Sequence, residues 1–376
     1  MSRPLRDVPA RADLLLPALA AALDGTGAAV GPGPDTVADE VALVVRTSGS
    51  TGDPRGVLLS AAALRASAAA TADRLAGPGH WLLALPLQHV AGLQVLVRSV
   101  LAGTRPVVLP DGPFRAPAFV AAATTMHSGP RYTSLVPTQL VRLLDDPAGS
   151  DALREFDAVL VGGAATGSDL LDRARSAGVA VVTTYGMSET CGGCVYDGVP
   201  LDGVSVRTDD AGRILLAGPV LAEGYTGGRG HLEDPFVHVD GRRWLVTSDL
   251  GSWAGGRLTV LGRADDVLVS GGTKVSPHAV EAVLERFGEV VVVGLPDAEW
   301  GQVVVAVVVP RPGSTPTLAD ARAVVTERLG AAHAPRHLVV TGSLPLRGPG
   351  KIDRRAAARL AGALLQQGTF IERNDT

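Results

Sequence analysis

Only two cysteines occur among the 376 residues. That is too few for a disulfide framework and fits a reducing compartment. No basic stripe stands out and the formal net charge is −4, which argues against nucleic acid as the main partner. No apolar run is long enough to span a bilayer. The N-terminal stretch DLLLPALAAALDG is interrupted by Pro17 and Asp24, and it lacks the continuous apolar segment and cleavage site of a signal peptide. These absences predict a cytoplasmic protein without membrane insertion. Internal repeats, heptads and low-complexity linkers are missing too, which excludes solenoids and coiled coils. What remains is a globular composition, 46% hydrophobic and 19% charged, at a length suited to two or three domains.

Up to about residue 200, apolar β-branched runs alternate with Ala/Leu/Arg-rich stretches. Strands are expected at 42–46, 80–86, 105–110, 131–136, 156–163 and 179–186. Helices are expected at 61–76 (with Ser60 as N-cap), 90–103, 115–125, 137–146 and 167–178. Repeated β-α-β order predicts a mainly parallel sheet with helices on its faces. Beyond 200, short strands and Gly turns suggest a small antiparallel β unit. From about 266, strands and helices mix in a compact α+β region.

One loop stands apart. RTSGSTGDPRG, residues 46–56, lies between two strand-like runs and carries no large apolar side chain. Glycines let backbone approach a ligand, and successive N–H groups there form an anion-binding concavity. Thr47, Ser48, Ser50 and Thr51 add hydroxyls, Gly49 and Gly52 freedom, and Arg55 charge. The loop reads as a phosphate cradle, although a solvated hairpin loop has the same composition. It is not a Walker loop, since no Lys-Ser or Lys-Thr pair follows Gly56. Four further stretches bear acids or bases at turns: TTYGMSETCGG (183–193), TSDLG (247–251), GRADDVLVSGGTKVSP (262–277) and GPGKIDRRA (348–356). Glu189 is a hard oxygen ligand suited to Mg²⁺ beside phosphates. The carboxylate of Asp249 can accept two ribose hydroxyls.

These five motifs, in this order across residues 41–360, resemble the adenylate-forming superfamily of acyl-CoA synthetases, luciferases and peptide-synthetase adenylation domains. The resemblance implies an α/β fold. A large N-terminal domain (1–264) would hold a mainly parallel sheet plus a small β unit, and a small mobile α+β domain (265–376) would follow. It also implies ATP, Mg²⁺ and coenzyme A as partners, small molecules throughout, and it allows a homodimer. Residues 47–56 would hold the β- and γ-phosphates. Tyr185 would lie against adenine with Gly163 and Gly186 beside it, Ser188 would touch phosphate, Glu189 would hold Mg²⁺, and Asp249 with Arg263 would bind the ribose. Lys351 would bridge the carboxylate and the α-phosphate. Asp265 matches the hinge, and Gly271 and Gly272 would line the pantetheine tunnel. His89, in LPLQHVAGL, would stand between acyl pocket and thiol entrance. Two departures stand out: Arg55 replaces the usual lysine, and the loop begins after only 47 residues, so the N-terminal subdomain is expected to be cut down.

Within the superfamily, the short length and the stretch from Val159 to Val204 resemble compact o-succinylbenzoate–CoA ligases of the actinobacterial type, which serve menaquinone biosynthesis. The acyl pocket would then include His89, Thr138, Gln139, Gly162, Gly163, Gly186 and Met187. Thr138, Gln139 and Arg142 are candidates for the distal carboxylate, and Gly162, Gly163 and Ala164 would let backbone approach the ligand. The C-x-x-C at 191–194 has no second ligand pair for zinc and does not follow the first strand of a βαβ unit. Small pocket-lining residues are the better account of it. Two other functions share these motifs: adenylation of another acid or a carrier protein, and nucleotide binding without catalysis.

Overall fold

The computed structural model describes residues 1–47, 55–227, 234–311, 313–347, 351–367 and 371–373. Residues up to 263 build three sheets rather than one. The first is six-stranded and mixed. Its order is Gly224–Tyr225, Arg55–Ser60, Val41–Thr47, Ala29–Val30, Ser2–Arg6 and Thr36–Ala38. The second has seven strands, in the order Val199–Pro200, Gly192–Tyr196, Val181–Met187, Ala158–Val161, Arg131–Leu135, His80–Leu83 and Val107–Val108. Its last five are mutually parallel, and the first two add on as antiparallel edges. The expected parallel sheet is this second one. The strands around the 46–56 loop belong to the other sheet, where Val41–Thr47 and Arg55–Ser60 pair as an antiparallel hairpin.

The second sheet follows the sequence rules closely. Ser60 accepts from the N–H of Ala63 at 3.2 Å and caps helix Ala61–Arg74. Pro137 opens helix Pro137–Leu144 at its first turn, where no backbone donor is needed. Helix Ala12–Leu23 contains Pro17 in its interior. The missing hydrogen bond and ring clash carry a cost, but Leu15, Leu19, Ala22 and Leu23 are all buried in the large core, and that burial outweighs local propensity.

The third sheet is antiparallel. Its centre is the 13-residue strand Arg242–Ala254, paired with Arg213–Ala217, Phe236–Val239 and Arg257–Arg263. Beyond it, Gly288–Asp297 and Gly301–Pro310 form a ten-pair antiparallel ladder. Their valines face two cores. Val290, Val292, Val304, Ala306 and Val308 pack with helices Pro277–Leu284 and Leu318–Leu329. Val291, Val293, Val303, Val305 and Val307 pack with helix Arg354–Gln367. Burial on both faces explains the continuous apolar runs. Among the described residues, no core cluster mixes residues up to Leu258 with residues from Leu268 onwards. The chain thus has a two-domain α/β fold. Among the described residues, no helix is long and apolar enough to cross a membrane.

Candidate functional site

Four adjacent parallel strands of the second sheet end at Leu83, Leu135, Val161 and Met187. The segments that follow them carry His89, Thr138 with Gln139, Gly162 with Gly163, and Ser188 with Glu189. Ligands of open α/β sheets bind outside the carboxyl ends of the strands. Residues far apart in sequence are therefore gathered along one rim.

The best-formed part of this rim is the hairpin of strands Val181–Met187 and Gly192–Tyr196. Gly186 lies so close to the partner strand that a Cβ there would sit 2.0 Å from the Gly192 carbonyl oxygen. This close approach brings the chain into the short 3₁₀ turn Ser188–Thr190. Thr190, fully buried, accepts from the N–H of Met187 at 2.9 Å and donates to the Gly192 carbonyl at 2.7 Å. The turn presents Glu189, half-buried. The Tyr225 hydroxyl donates to its carboxylate at 2.9 Å, and the Ala222 N–H donates to its backbone carbonyl at 2.8 Å. Burial, together with the Glu189 charge, pushes the Tyr225 phenol well above its ordinary range, so it remains a donor. The Arg55 guanidinium lies over the same ring, 5.5 Å from its centroid. Thr47 pairs with Arg55 at the mouth of the 41–60 hairpin. Arg55, Thr47 and Glu189 are thus brought into one neighbourhood through Tyr225. Ser48, Gly49, Ser50, Thr51 and Gly52 lie outside the described residues.

The same hairpin presents Tyr185, whose hydroxyl donates to Asp249 at 2.8 Å. Burial first, then the Asp249 charge, raises this phenol far above its usual range. Asp249 sits in the long central strand of the third sheet, where its N–H donates to the Thr247 hydroxyl. It pairs in register with Arg263, whose guanidinium is 3.7 Å from its carboxylate. Arg263 also holds Asp265 at 2.8 Å. Tyr185, Asp249, Arg263 and Asp265 therefore form one continuous polar chain from the hairpin to the domain junction.

The acyl-side candidates are less uniform. His89 is exposed at the N-cap of helix Val90–Leu101. That helix is tied to the hairpin by Gln94, which donates to the Cys191 carbonyl at 2.6 Å. Thr138 is half-buried and Arg142 exposed. The reading of Gln139 as a free ligand for a distal carboxylate needs correction. Its amide oxygen accepts from the Val136 N–H at 3.0 Å and its nitrogen donates to the Ala84 carbonyl at 2.9 Å, so both ends already clamp the helix start to the loop before His89. Gly162 also has a packing reason, since a Cβ there would lie 2.3 Å from the Thr184 hydroxyl. Gly163 takes φ +79, and Ala164 is exposed beside it. Cys191 and Cys194 are not pocket-lining: both thiols are wholly buried in the core, where burial raises Cys194 to about 12 and Cys191 further still.

Gly271 and Gly272 make the tight turn between Leu268–Ser270 and Thr273–Val275. A Cβ at Gly271 would strike the Trp300 ring at 2.5 Å, so packing alone requires that glycine. Lys351 opens the two-residue strand Lys351–Ile352, paired with Leu346–Arg347; its side chain lies outside the described residues.

Residues 10–226 match the AMP-binding enzyme family, and residues 280–351 match the AMP-binding enzyme C-terminal domain. This chain belongs to the AMP-binding enzymes. A probable 2-succinylbenzoate–CoA ligase of Mycobacterium tuberculosis is 49% identical over 92% of this chain and 94% of its own length. The 2-succinylbenzoate–CoA ligase of Listeria monocytogenes is 32% identical over 83% of this chain and 68% of its own. Among solved structures, ATP-bound MatB from Rhodopseudomonas palustris superposes with a TM-score of 0.75 at 26% identity, covering 87% of this chain and 69% of MatB. The o-succinylbenzoate CoA synthetase of Bacillus subtilis, in complex with the acyl-adenylate OSB-AMP, gives 0.71 at 28% identity, covering 86% and 71%. The longer relatives contain about three tenths that this AMP-binding enzyme does not match, whereas the mycobacterial relative is matched almost throughout.

Sequence reasoning missed three side chains of this AMP-binding enzyme. Tyr225, in AEGYTGG, carries no charge and no motif spacing that would single it out. Asp266 and Arg354 stood inside quoted motifs, but only the fold shows that they meet, at 3.2 Å.

Proposed function

We propose that this AMP-binding enzyme ligates o-succinylbenzoate to coenzyme A through an acyl-adenylate, with ATP and Mg²⁺, in menaquinone biosynthesis. The observation that carries the reading is the polar chain Tyr185–Asp249–Arg263 beside Glu189, on the rim where the parallel strands end. Support for the acid comes from the mycobacterial relative, matched over nearly its whole length.

In this reading the large domain is 1–264 and the small domain 265–376. Tyr185 packs along adenine, with Gly163 and Gly186 beside it, and Ser188 contacts phosphate. Asp249 keeps lone pairs beyond those facing Tyr185 and Arg263, and these accept the ribose hydroxyls. The 47–56 loop, with Arg55, carries the β- and γ-phosphates. Glu189 suits Mg²⁺: it is a hard carboxylate with one bond to Tyr225 and lone pairs to spare. The ion would be held by this one carboxylate together with the nucleotide's phosphates. When bound, Mg²⁺ neutralises phosphate charge. The acid's carboxylate attacks the α-phosphorus and pyrophosphate leaves. Lys351 stabilises the charge on both reacting groups. The small domain then turns at Asp265, the CoA sulfur attacks the acyl carbon past His89 and Gly271–Gly272, and AMP departs as the thiol proton is lost. Thr138, Gly162, Gly163 and Met187 border the acid. The chemistry needs only soluble small molecules and suits the cytoplasm.

The test is pyrophosphate release with ATP and Mg²⁺, comparing o-succinylbenzoate, benzoate and medium-chain fatty acids, with and without CoA. Turnover to the CoA thioester with o-succinylbenzoate is expected. No release with any acid would overturn the reading, and release with a different acid would overturn its substrate.

A further inference from the structure

The junction between the two domains carries two consecutive aspartates, Asp265 and Asp266, in one 3₁₀ turn. Their side chains are held by different domains. Asp265 binds Arg263 at 2.8 Å and through it joins Asp249 and Tyr185 on the nucleotide side. Asp266 binds the Arg354 Nε at 3.2 Å, on the small-domain side.

Arg354 is unusually well held. Its guanidinium pairs with both oxygens of Glu281, one of them at 2.8 Å. It donates to the Val292 carbonyl at 2.9 Å and approaches the His278 ring nitrogens at 3.2 and 3.4 Å. Glu281 in turn accepts from the Val292 N–H at 2.7 Å and faces His278 at 3.1 Å. The cluster thereby joins the junction, helix Pro277–Leu284, strand Gly288–Asp297 and the first residue of helix Arg354–Gln367. Arg354 is also the third residue after Lys351. Asp353 lies between, its N–H bonded to the Pro345 carbonyl at 2.9 Å and its side chain capping Ala356 at 2.9 Å. Three residues span at most about 10 Å, so whatever holds Arg354 also restricts where Lys351 can reach.

We infer that Arg354 and Asp266 are positioning residues for the adenylation step. They lock the small-domain half of the junction to the turn bearing Lys351, so that bending is confined to the Arg263–Asp265 side and the lysine arrives in one place. This rests on the role proposed for Lys351. A guanidinium fork making several bonds at once is pre-organised for such a lock in a way an ammonium is not.

The experiment measures two half-reactions of the full chain separately. One is adenylate formation from ATP and o-succinylbenzoate. The other is thioester formation from supplied acyl-adenylate and CoA. Wild type, Lys351→Ala, Asp266→Asn and Arg354→Lys are compared, with nucleotide affinity and Tm measured on each. Asp266→Asn leaves the Arg354–Glu281 pair in place, so the fold is retained. Misplacement of a catalytic group by about 1 Å costs up to ~10²-fold, and we expect adenylate formation in Asp266→Asn to fall about tenfold, with thioester formation falling less than about threefold and nucleotide affinity unchanged. Arg354→Lys should show the same pattern, more strongly. If Lys351→Ala keeps full adenylation, the proposed function fails. If Lys351→Ala is inactive but Asp266→Asn adenylates normally, or loses both half-reactions equally alongside Tm, only the positioning inference is overturned.

Discussion

Two ionic clusters lie on either side of the domain junction, and they differ in how fully they are satisfied. Around Arg354, a carboxylate, an imidazole and two backbone groups of Val292 saturate one another in a largely buried setting. Around Arg263, contacts are longer and more open. The guanidinium is 43% exposed, Asp265 is 52% exposed, and the Arg263–Asp249 approach is 3.7 Å. A saturated cluster has little left to offer a ligand, so its contribution is geometry. A cluster with spare lone pairs and exposed donors is where a substrate can bind. Charge content alone does not separate the two; bonding completeness does.

The comparison breaks most sharply at Asp249. Asp249→Ala should lower nucleotide affinity, and adenylate formation at subsaturating ATP, by ~100-fold or more, two hydrogen bonds to a charged group being worth about 1.5 kcal/mol or more each; isothermal titration with a nonhydrolysable ATP analogue would show the lost affinity. On the saturated side the dominant effect should be on folding. Glu281→Gln leaves Arg354 with a neutral partner in a buried place, where breaking an ion pair costs on the order of 3 kcal/mol, measurable by denaturant titration.

The same carboxylate sets a pH window. Burial alone would raise Glu281, but Arg354 and His278 pull it down to about 2, against an ordinary 4.5. A depressed carboxylate stabilises the fold fully above its unfolded value, and that contribution is lost as pH falls towards the folded one. Small-domain stability should therefore decline between about pH 4.5 and 2, and Glu281→Gln should remove that part of the decline. The smallest effect is expected at Arg311–Asp169, a 3.3 Å pair across the domains with both side chains about half exposed. Arg311→Ala should shift stability by less than about 1 kcal/mol and leave adenylation within a factor of two or so.

The parallel sheet, its helices and the C-terminal α+β region were legible in the sequence because their signals are local: β-branched runs, Ser60 as a cap, Pro137 at a first turn. The separation of the 46–56 hairpin into another sheet was not, because register between distant strands leaves no periodic trace. Tyr185 and Glu189 stood out as polar residues where a strand ends, whereas Asp249, expected just after a strand, lies inside the long strand Arg242–Ala254. Tyr225 did not stand out, since a tyrosine in a Gly-rich turn looks like any other until the fold brings its hydroxyl to Glu189. Gln139 shows the opposite error: a polar side chain near the rim looked free, yet its partners were backbone atoms, which composition cannot reveal.

The two cysteines have a practical side. Both are sealed in the core, and burial holds their thiols protonated at neutral pH. A thiol-reactive dye added to the native protein should find nothing to label quickly. Disappearance of the coenzyme's own sulfhydryl could then be followed by colour against a silent background, and dye uptake without coenzyme would itself report unfolding.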